Sequence, residues 1–399
     1  MRTETAASEE LARSRRLLSL VIVFFWASEY AHVPYFTPYL RELGFGASVI
    51  GVLTGTYGLT QTIVRIPLGM ATDLSGGYRT VVRMGTVFTT LSSFILIFAR
   101  SAPLILFCRF LAGVAASTWI AFSVLYSAYF DPSESVGAMT DINVFNNSGK
   151  LLAFVFGTIT ASLWGFRIPL VVSFIAGLAA VLLSLGLKTV PVRREPMTVP
   201  VLLSTFRSRA VLIPAGFAIV LQLLTQGTVF SFTSSAAQSI GASRFAIGLN
   251  TALYTVVQVA AGGLIGRRIV KRLPEQGTAA LGFACMAASC LLTGFARSIV
   301  PIYAAQILGG FGNAMLMPLF MAMAIRSVPM ARKSTAMGLF QALYGIGMTA
   351  GPMLMGRILQ NGSYASGYGL FAGIALAAAA AAPVAVPMAA VNNEAEQSK

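Results

Sequence analysis

The sequence predicts an all-α membrane protein with twelve transmembrane helices in two pseudo-symmetric six-helix bundles. Three observations carry this. The 399 residues are 56% hydrophobic and only 10% charged, with mean hydropathy +0.77, against about 25% charge in an ordinary soluble domain. Twelve apolar runs each come near the roughly 20 residues that a bilayer-crossing helix needs. Short stretches of the first half also recur in the second.

The runs lie at 17–40, 48–71, 80–99, 102–126, 137–160, 167–187, 210–235, 245–265, 276–296, 300–325, 334–358 and 366–391. They divide the chain into a tail (1–16), a first bundle (17–187), an interdomain loop (188–209), a second bundle (210–391) and a final tail (392–399). The run from Leu17 has no small-residue cleavage site behind it, so it reads as a retained helix and not a removed signal. The 188–209 connection, KTVPVRREPMTVPVLLSTFRSR, is the longest and splits the spans six and six.

The net charge of +15 would suggest a nucleic-acid partner in a soluble protein. Here the charges sit between apolar runs, so they describe topology, and no nucleic acid is expected. With the N-terminus inside, nineteen Lys and Arg residues fall on the inner side and six on the outer. That asymmetry places both tails in the cytoplasm, and the short basic loops suit a bacterial inner membrane. Cys108, Cys285 and Cys290 lie in apolar runs with no metal or disulfide spacing. No phosphate-binding GxxxxGK[ST] loop and no dinucleotide fingerprint occurs. These absences argue against an ATP-driven pump and against an enzyme, and no cofactor is expected.

The halves echo each other. Residues 108–117, CRFLAGVAAS, match 305–314, AQILGGFGNA, at an offset of 197, with Arg109 opposite Gln306 and Gly113 opposite Gly310. Residues 149–153, GKLLA, match 351–355, GPMLM, at an offset of 202. Together they support a duplicated six-helix unit.

Charges inside the spans are the candidates for function. The first span contains FFWASEYAHVPYFTPYLRELG, residues 24–44, with Glu29 and the only histidine, His32. At about 1.5 Å rise per residue, Glu29 lies about 18 Å from the inner end of its span and Lys150 about 20 Å. Arg109 lies about 10 Å from the outer end of its own. In a core of about 30 Å all three reach similar depth. Each costs roughly 2.5 kcal/mol or more there unless it faces a cavity or a partner. Glu29 is the candidate protonation site, pulled in opposite directions by burial and by Lys150 or Arg109. His32, one turn on, relays protons, binds substrate or is simply satisfied. Tyr30 and Asn146 accompany these groups. Gln222, Gln226, Gln258, Gln306, Asn313, Gln341 and Tyr344 offer uncharged polar groups in the second half, to orient a substrate or to hold helices together. Pro34 and Pro38 bend the outer half of the first helix.

The second span ends RIPLGMATDLSGGYRT, residues 65–80. Gly69, Asp73, Gly77 and Arg79 resemble the motif between the second and third helices of the major facilitator superfamily, with Leu74 where an arginine is usual. Arg109 and Gly113 resemble that family's fourth-helix signature, and WGFR at 164–167 resembles its lead into the sixth helix. The resemblance spans essentially the whole chain. It implies alternating access, with helices one, four and five bordering a central cavity, and so Glu29, Arg109 and Lys150 beside the substrate. It also implies a cytoplasmic gate in which Gly69 allows close helix approach and Asp73 works with Arg79 as a latch between helices two and eleven. Arg65 and Asp141 stand near that gate. Two departures are plain. Residues 262–272, GGLIGRRIVKR, lack the acid, and the fifth helix has NNSGKLLAFVFG, with Lys150 where drug antiporters of the family carry a proline.

The expected function is proton-coupled export of a small amphipathic or drug-like solute. The alternatives are uptake of a small polar or anionic metabolite, a flippase for an amphiphile or lipid-linked sugar, and a receptor that transports nothing. Sodium serves a lone Glu29 as well as a proton does. Twelve spans suffice for a path through one monomer.

Overall fold

The computed structural model describes residues 2–130, 135–190, 208–264, 273–326 and 333–386, with 202, 206 and 328. Every regular element among the described residues is helical. In the first half, α1 is Arg2–Tyr30 continued by Val33–Glu42, α2 is Ala47–Ser75 and α3 is Tyr78–Phe98. Then α4 is Ala102–Ser117 continued by Trp119–Ser127, α5 is Ser135–Trp164 and α6 is Ile168–Leu185. In the second half, α7 is Arg209–Gly227, a π-helical turn Thr228–Phe232 and Thr233–Ser239. It is followed by α8 (Arg244–Leu264), α9 (Glu275–Gly294), α10 (Ile299–Arg326), α11 (Lys333–Asn361) and α12 (Tyr364–Ala385).

The breaks have local causes. Pro34 has no N–H to give the Tyr30 carbonyl, so α1 opens at Ala31–His32 and restarts with a proline in its first turn. In α7, Ser231 Oγ bonds the Gln226 carbonyl at 2.5 Å across the π turn, the kind of bulge that often marks a functional site. The two breaks stand 197 residues apart, Ala31 against Thr228.

That interval recurs throughout. Gly44 and Gly241 both hold positive φ, +86° and +79°, in the left-handed cap conformation that favours glycine. Around them Phe45 N–H bonds Leu40 O at 3.2 Å, and Ala242 N–H bonds Ala237 O at 3.1 Å. At the next repeated junction, Gly165 N–H bonds Ala161 O and Gly362 N–H bonds Ile358 O, both at 2.9 Å. All these pairs keep the interval of 197. Since α5 and α11 run unbroken into the 165 and 362 junctions, the 202 offset read for GKLLA and GPMLM is out of register. Lys150 corresponds to Gly347 instead.

Nine helices among the described residues are long and apolar enough to cross a membrane by themselves. The three that fall short are α2, α5 and α11. All three lie at the seam between the bundles, where α2 packs along α11 and α5 packs on α8. Their polarity therefore belongs to the interior between the bundles. On α2, Gly51 and Gly55 bring its backbone onto α11, and a Cβ at Gly55 would stand 2.7 Å from Thr349 O.

The bundles are joined at the face opposite the N-terminus, here called the far face. Three hydrogen bonds cross between them among the described residues, and all three are there. Tyr35 donates to Arg244 O at 3.1 Å, Thr37 to Ser231 O, and Ser48 N–H to Gln360 Oε1 at 3.0 Å. Arg41 lies over Tyr364 and Arg244 over Phe166, at 5.6 and 5.3 Å. The larger hydrophobic core follows the same plan. It runs from Tyr35 and Phe36 through Phe232 to Phe283 and Phe320, so it is shared by both bundles. A second core, with Leu18, Phe25, Phe122 and Tyr126, belongs to the first bundle alone.

Candidate substrate and coupling site

The break in α1 opens onto a small cavity of about 30 Å³ between the bundles. Glu29, Tyr30, His32 and Arg109 line it from the first bundle, Gln226 and Phe230 from the second. Glu29 and Gln226 are again 197 apart. One cavity thus receives a carboxyl group and an amide from equivalent places in the two repeats.

Glu29 is 5% exposed. The hydroxyls of Thr89 and Tyr57 and the guanidinium of Arg109 surround its carboxyl group. Arg109, 7% exposed, sits over the rings of Phe36 and Tyr57, at 5.1 and 4.8 Å from their centres. Aromatic faces carry negative charge density that attracts a desolvated cation. The direct ion pairs among the described residues are Lys188–Glu10 and Arg326–Glu275. Glu29 and Arg109 therefore influence each other through space without touching. The Nε of Arg109 is buried without a partner.

His32 occupies the break itself. Its Nδ1 lies 3.0 Å from Ser173 Oγ, its Nε2 is buried without a partner, and its ring meets Phe36 edge-on. Lys150 parts from the cluster expected for it. Its ammonium sits 4.9 Å from the ring centres of both Trp26 and Tyr30, with no ion pair to Glu29. The expected Glu29–Lys150–Arg109 group is thus divided, with Arg109 over Phe36 and Tyr57 and Lys150 against Trp26 and Tyr30. The physical reason is that Trp26 and Tyr30, one turn apart on α1, both present their faces to α5.

The uncharged residues divide. Gln226 is in the cavity, and Tyr344 approaches Tyr30 from the second bundle. Gln258 donates to Asn313 Oδ1 at 2.7 Å, and Asn313 donates to Thr225 at 3.3 Å. These two residues satisfy each other between α8, α10 and α7. Asn146, Gln306 and Gln341 each keep a buried side-chain oxygen without a partner. Gln222 is half-buried one turn from Gln226 on α7.

The residues expected at the gate have these partners among the described residues. Among the described residues a Cβ at Gly69 would meet only Ile120, at 3.7 Å. Asp73 accepts from Tyr78 at 2.8 Å within its own bundle. Arg65 is buried and donates to Gln61 at 2.5 Å and Ala116 O at 3.5 Å, tying α2 to the break in α4 and not to Asp73. Arg83 donates to the carbonyls of Ser184 and Leu185 at 3.0 and 2.7 Å, where a cation suits the negative end of α6. Arg79 is half-buried, with its charge felt at Tyr129. Asp141 is exposed near Tyr126. Most of the 262–272 stretch, residues 265–272, lies outside the described residues, as do 327 and 329–332 before α11.

Tyr57, Thr54, Phe36, Trp26 and Phe230 complete the site and were not singled out from the sequence. Tyr57 carried a usable signal. It stands 197 residues before Tyr254, and their carbonyls receive the matched Gly113 and Gly310. Extending the repeat into α2 finds it. The others are aromatic or hydroxyl residues among many in apolar runs, and only the fold selects them.

Two repeated six-helix units meeting at a small cavity, lined from both with polar and aromatic groups, have the architecture of a secondary transporter. A model of the Major Facilitator Superfamily matches residues 18–235 and 215–398, and the chain belongs to that superfamily. An uncharacterized MFS-type transporter of Methanocaldococcus jannaschii is 22% identical over 335 residues, covering 81% of this chain and 85% of its own. Among solved structures, a mutant form of the nucleoside transporter NupG superposes with TM-score 0.79 at 14% identity, over 95% of this chain and 100% of that one. A bacterial homolog of the human lysosomal transporter Spinster, inward-facing and unoccupied, gives 0.73 at 14% identity, over 94% of this chain and 95% of its own. At such identities the likeness establishes the fold.

Proposed function

We propose that this protein is a proton-coupled transporter that exports a small amphipathic solute by alternating access, with Glu29 as the coupling group. The observation that carries the reading is the placement of Glu29: a buried carboxyl group, ringed by Thr89, Tyr57 and Arg109, on a cavity shared by both bundles. A carboxylate held out of water is costly, and taking a proton removes the charge. Solute entry that changes the surroundings of Glu29 changes its hold on that proton. The rings of Tyr30, Phe36 and Phe230 give the solute an apolar surface. The charge bias of the loops supports the N-terminal face as cytoplasmic, in a bacterial inner membrane. The joined far face then represents a state closed to the outside.

The excess of cations, Arg109 and Lys150, favours a second reading: uptake of a small polar or anionic metabolite. The direction of flux separates the two. Both are tested in vesicles that report internal pH, with a chemically varied solute set. Wild type moves protons when its solute is present, and Glu29→Gln, folded and inserted, does not. Proton movement that persists in Glu29→Gln removes Glu29 from coupling.

A further inference from the structure

Lys150 is a cation of the membrane interior held between two rings. Trp26 and Tyr30 each stand 4.9 Å from its Nζ. Its side chain is half-buried, so part of it remains accessible. Neither ion pair among the described residues involves it. Tyr30 is also part of the cavity wall, and its ring meets Phe230 of the second bundle edge-on at 6.0 Å. Lys150 is not itself in the cavity wall; Tyr30, which it touches, links it to the cavity. Close by, Trp26 Nε1 and Asn146 Oδ1 are buried without hydrogen-bond partners, and Asn146 lies one turn before Lys150 on α5. The second repeat has nothing similar. Its equivalent position is Gly347, whose missing side chain lets α11 lie against Ile219 O of α7.

Ring faces stabilise an ammonium but accept no strong hydrogen bond, so the donors of Lys150 stay unspent. A charge at this depth is retained where it meets a counter-charge. Trp26 and Tyr30 meanwhile offer apolar surface around it. We infer that Lys150, with Trp26 and Tyr30, forms a subsite for the anionic group of the transported solute: a carboxylate or similar monoanion joined to an apolar body. This rests on the reading of the cavity as the substrate path and narrows its substrate class. Coupling at Glu29 is a separate function of the same cavity.

The test uses the full-length protein in lipid nanodiscs, with 4-phenylbutyrate as probe and the neutral 4-phenylbutanamide as control. Tryptophan emission is the readout, since Trp26 lies beside Lys150. Wild type should respond saturably to phenylbutyrate. Lys150→Gln should weaken that binding about tenfold, the loss expected of one charge-assisted hydrogen bond. Lys150→Arg should retain it, and phenylbutanamide should bind wild type and Lys150→Gln alike. An unchanged thermal midpoint in Lys150→Gln shows that folding is not the cause. No saturable wild-type response to phenylbutyrate overturns the inference, as does equal weakening of acid and amide. Binding does not require proton flux, so the two readings fail separately. Persistent proton movement in Glu29→Gln removes the coupling role alone, and indifference of Lys150→Gln removes the anion subsite alone.

Discussion

Tyr57 does two jobs that one substitution can separate. Its ring lies under the Arg109 guanidinium at 4.8 Å, and its hydroxyl faces the Glu29 carboxyl group. Tyr57→Phe keeps the ring and removes the hydroxyl. It should leave the thermal midpoint nearly unchanged while altering substrate-driven proton movement in vesicles. Tyr57→Leu removes both, and losing a desolvated cation–ring contact should cost about 1–2 kcal/mol of stability. If Phe and Leu destabilise equally, the ring is not what holds Arg109. At this scale, charge counting alone does not show that Lys150 lies against the rings of Trp26 and Tyr30. Depth along a helix was legible from the sequence, but the side of the helix that meets an aromatic face was not.

Helix crossings in the two repeats are matched at the level of single glycines. A Cβ on Gly113 would stand 2.8 Å from Tyr57 O, and one on Gly310 would stand 2.6 Å from Tyr254 O. Alanine normally gains about 1 kcal/mol over glycine inside a helix. Forcing a methyl into a closed crossing costs roughly 1–3 kcal/mol. Gly113→Ala and Gly310→Ala should therefore both lower the thermal midpoint in detergent, by similar amounts. Gly69→Ala, with only Ile120 at 3.7 Å among the described residues, should leave it unchanged or raise it. A destabilised Gly69→Ala would restore the close approach expected from the motif. The repeat also explains the paired breaks in α1 and α7: both helices bend at equivalent places, so each half delivers one polar side chain, Glu29 or Gln226, to the same cavity.

At the scale of the molecule, the hydrogen bonds between the two bundles among the described residues all lie on one face. Tyr35, Thr37 and Ser48 bond across it, and the larger core is continuous there. Alternating access requires these contacts to part. A short bis-maleimide bridging Ser48→Cys and Gln360→Cys should hold the far face shut and abolish solute flux, while each single variant treated alike keeps it. Flux that survives verified cross-linking would mean that this face does not open during transport. Cys108 and Cys290 are buried and Cys285 is half-buried, so the pair is introduced in a Cys285→Ser background.

The amino-acid sequence by itself determined the membrane class, the spans, the duplication and the mid-depth charges. Apolar run length, loop charge and a 197-residue echo are all properties of composition and order. Only the tertiary structure decided which of those charges meet. Helices from distant parts of the chain set Glu29 near Arg109, Lys150 between Trp26 and Tyr30, and Arg65 against Gln61 instead of Asp73. Those choices follow from the rotation and crossing of packed helices, which depend on partners that no local stretch of sequence contains.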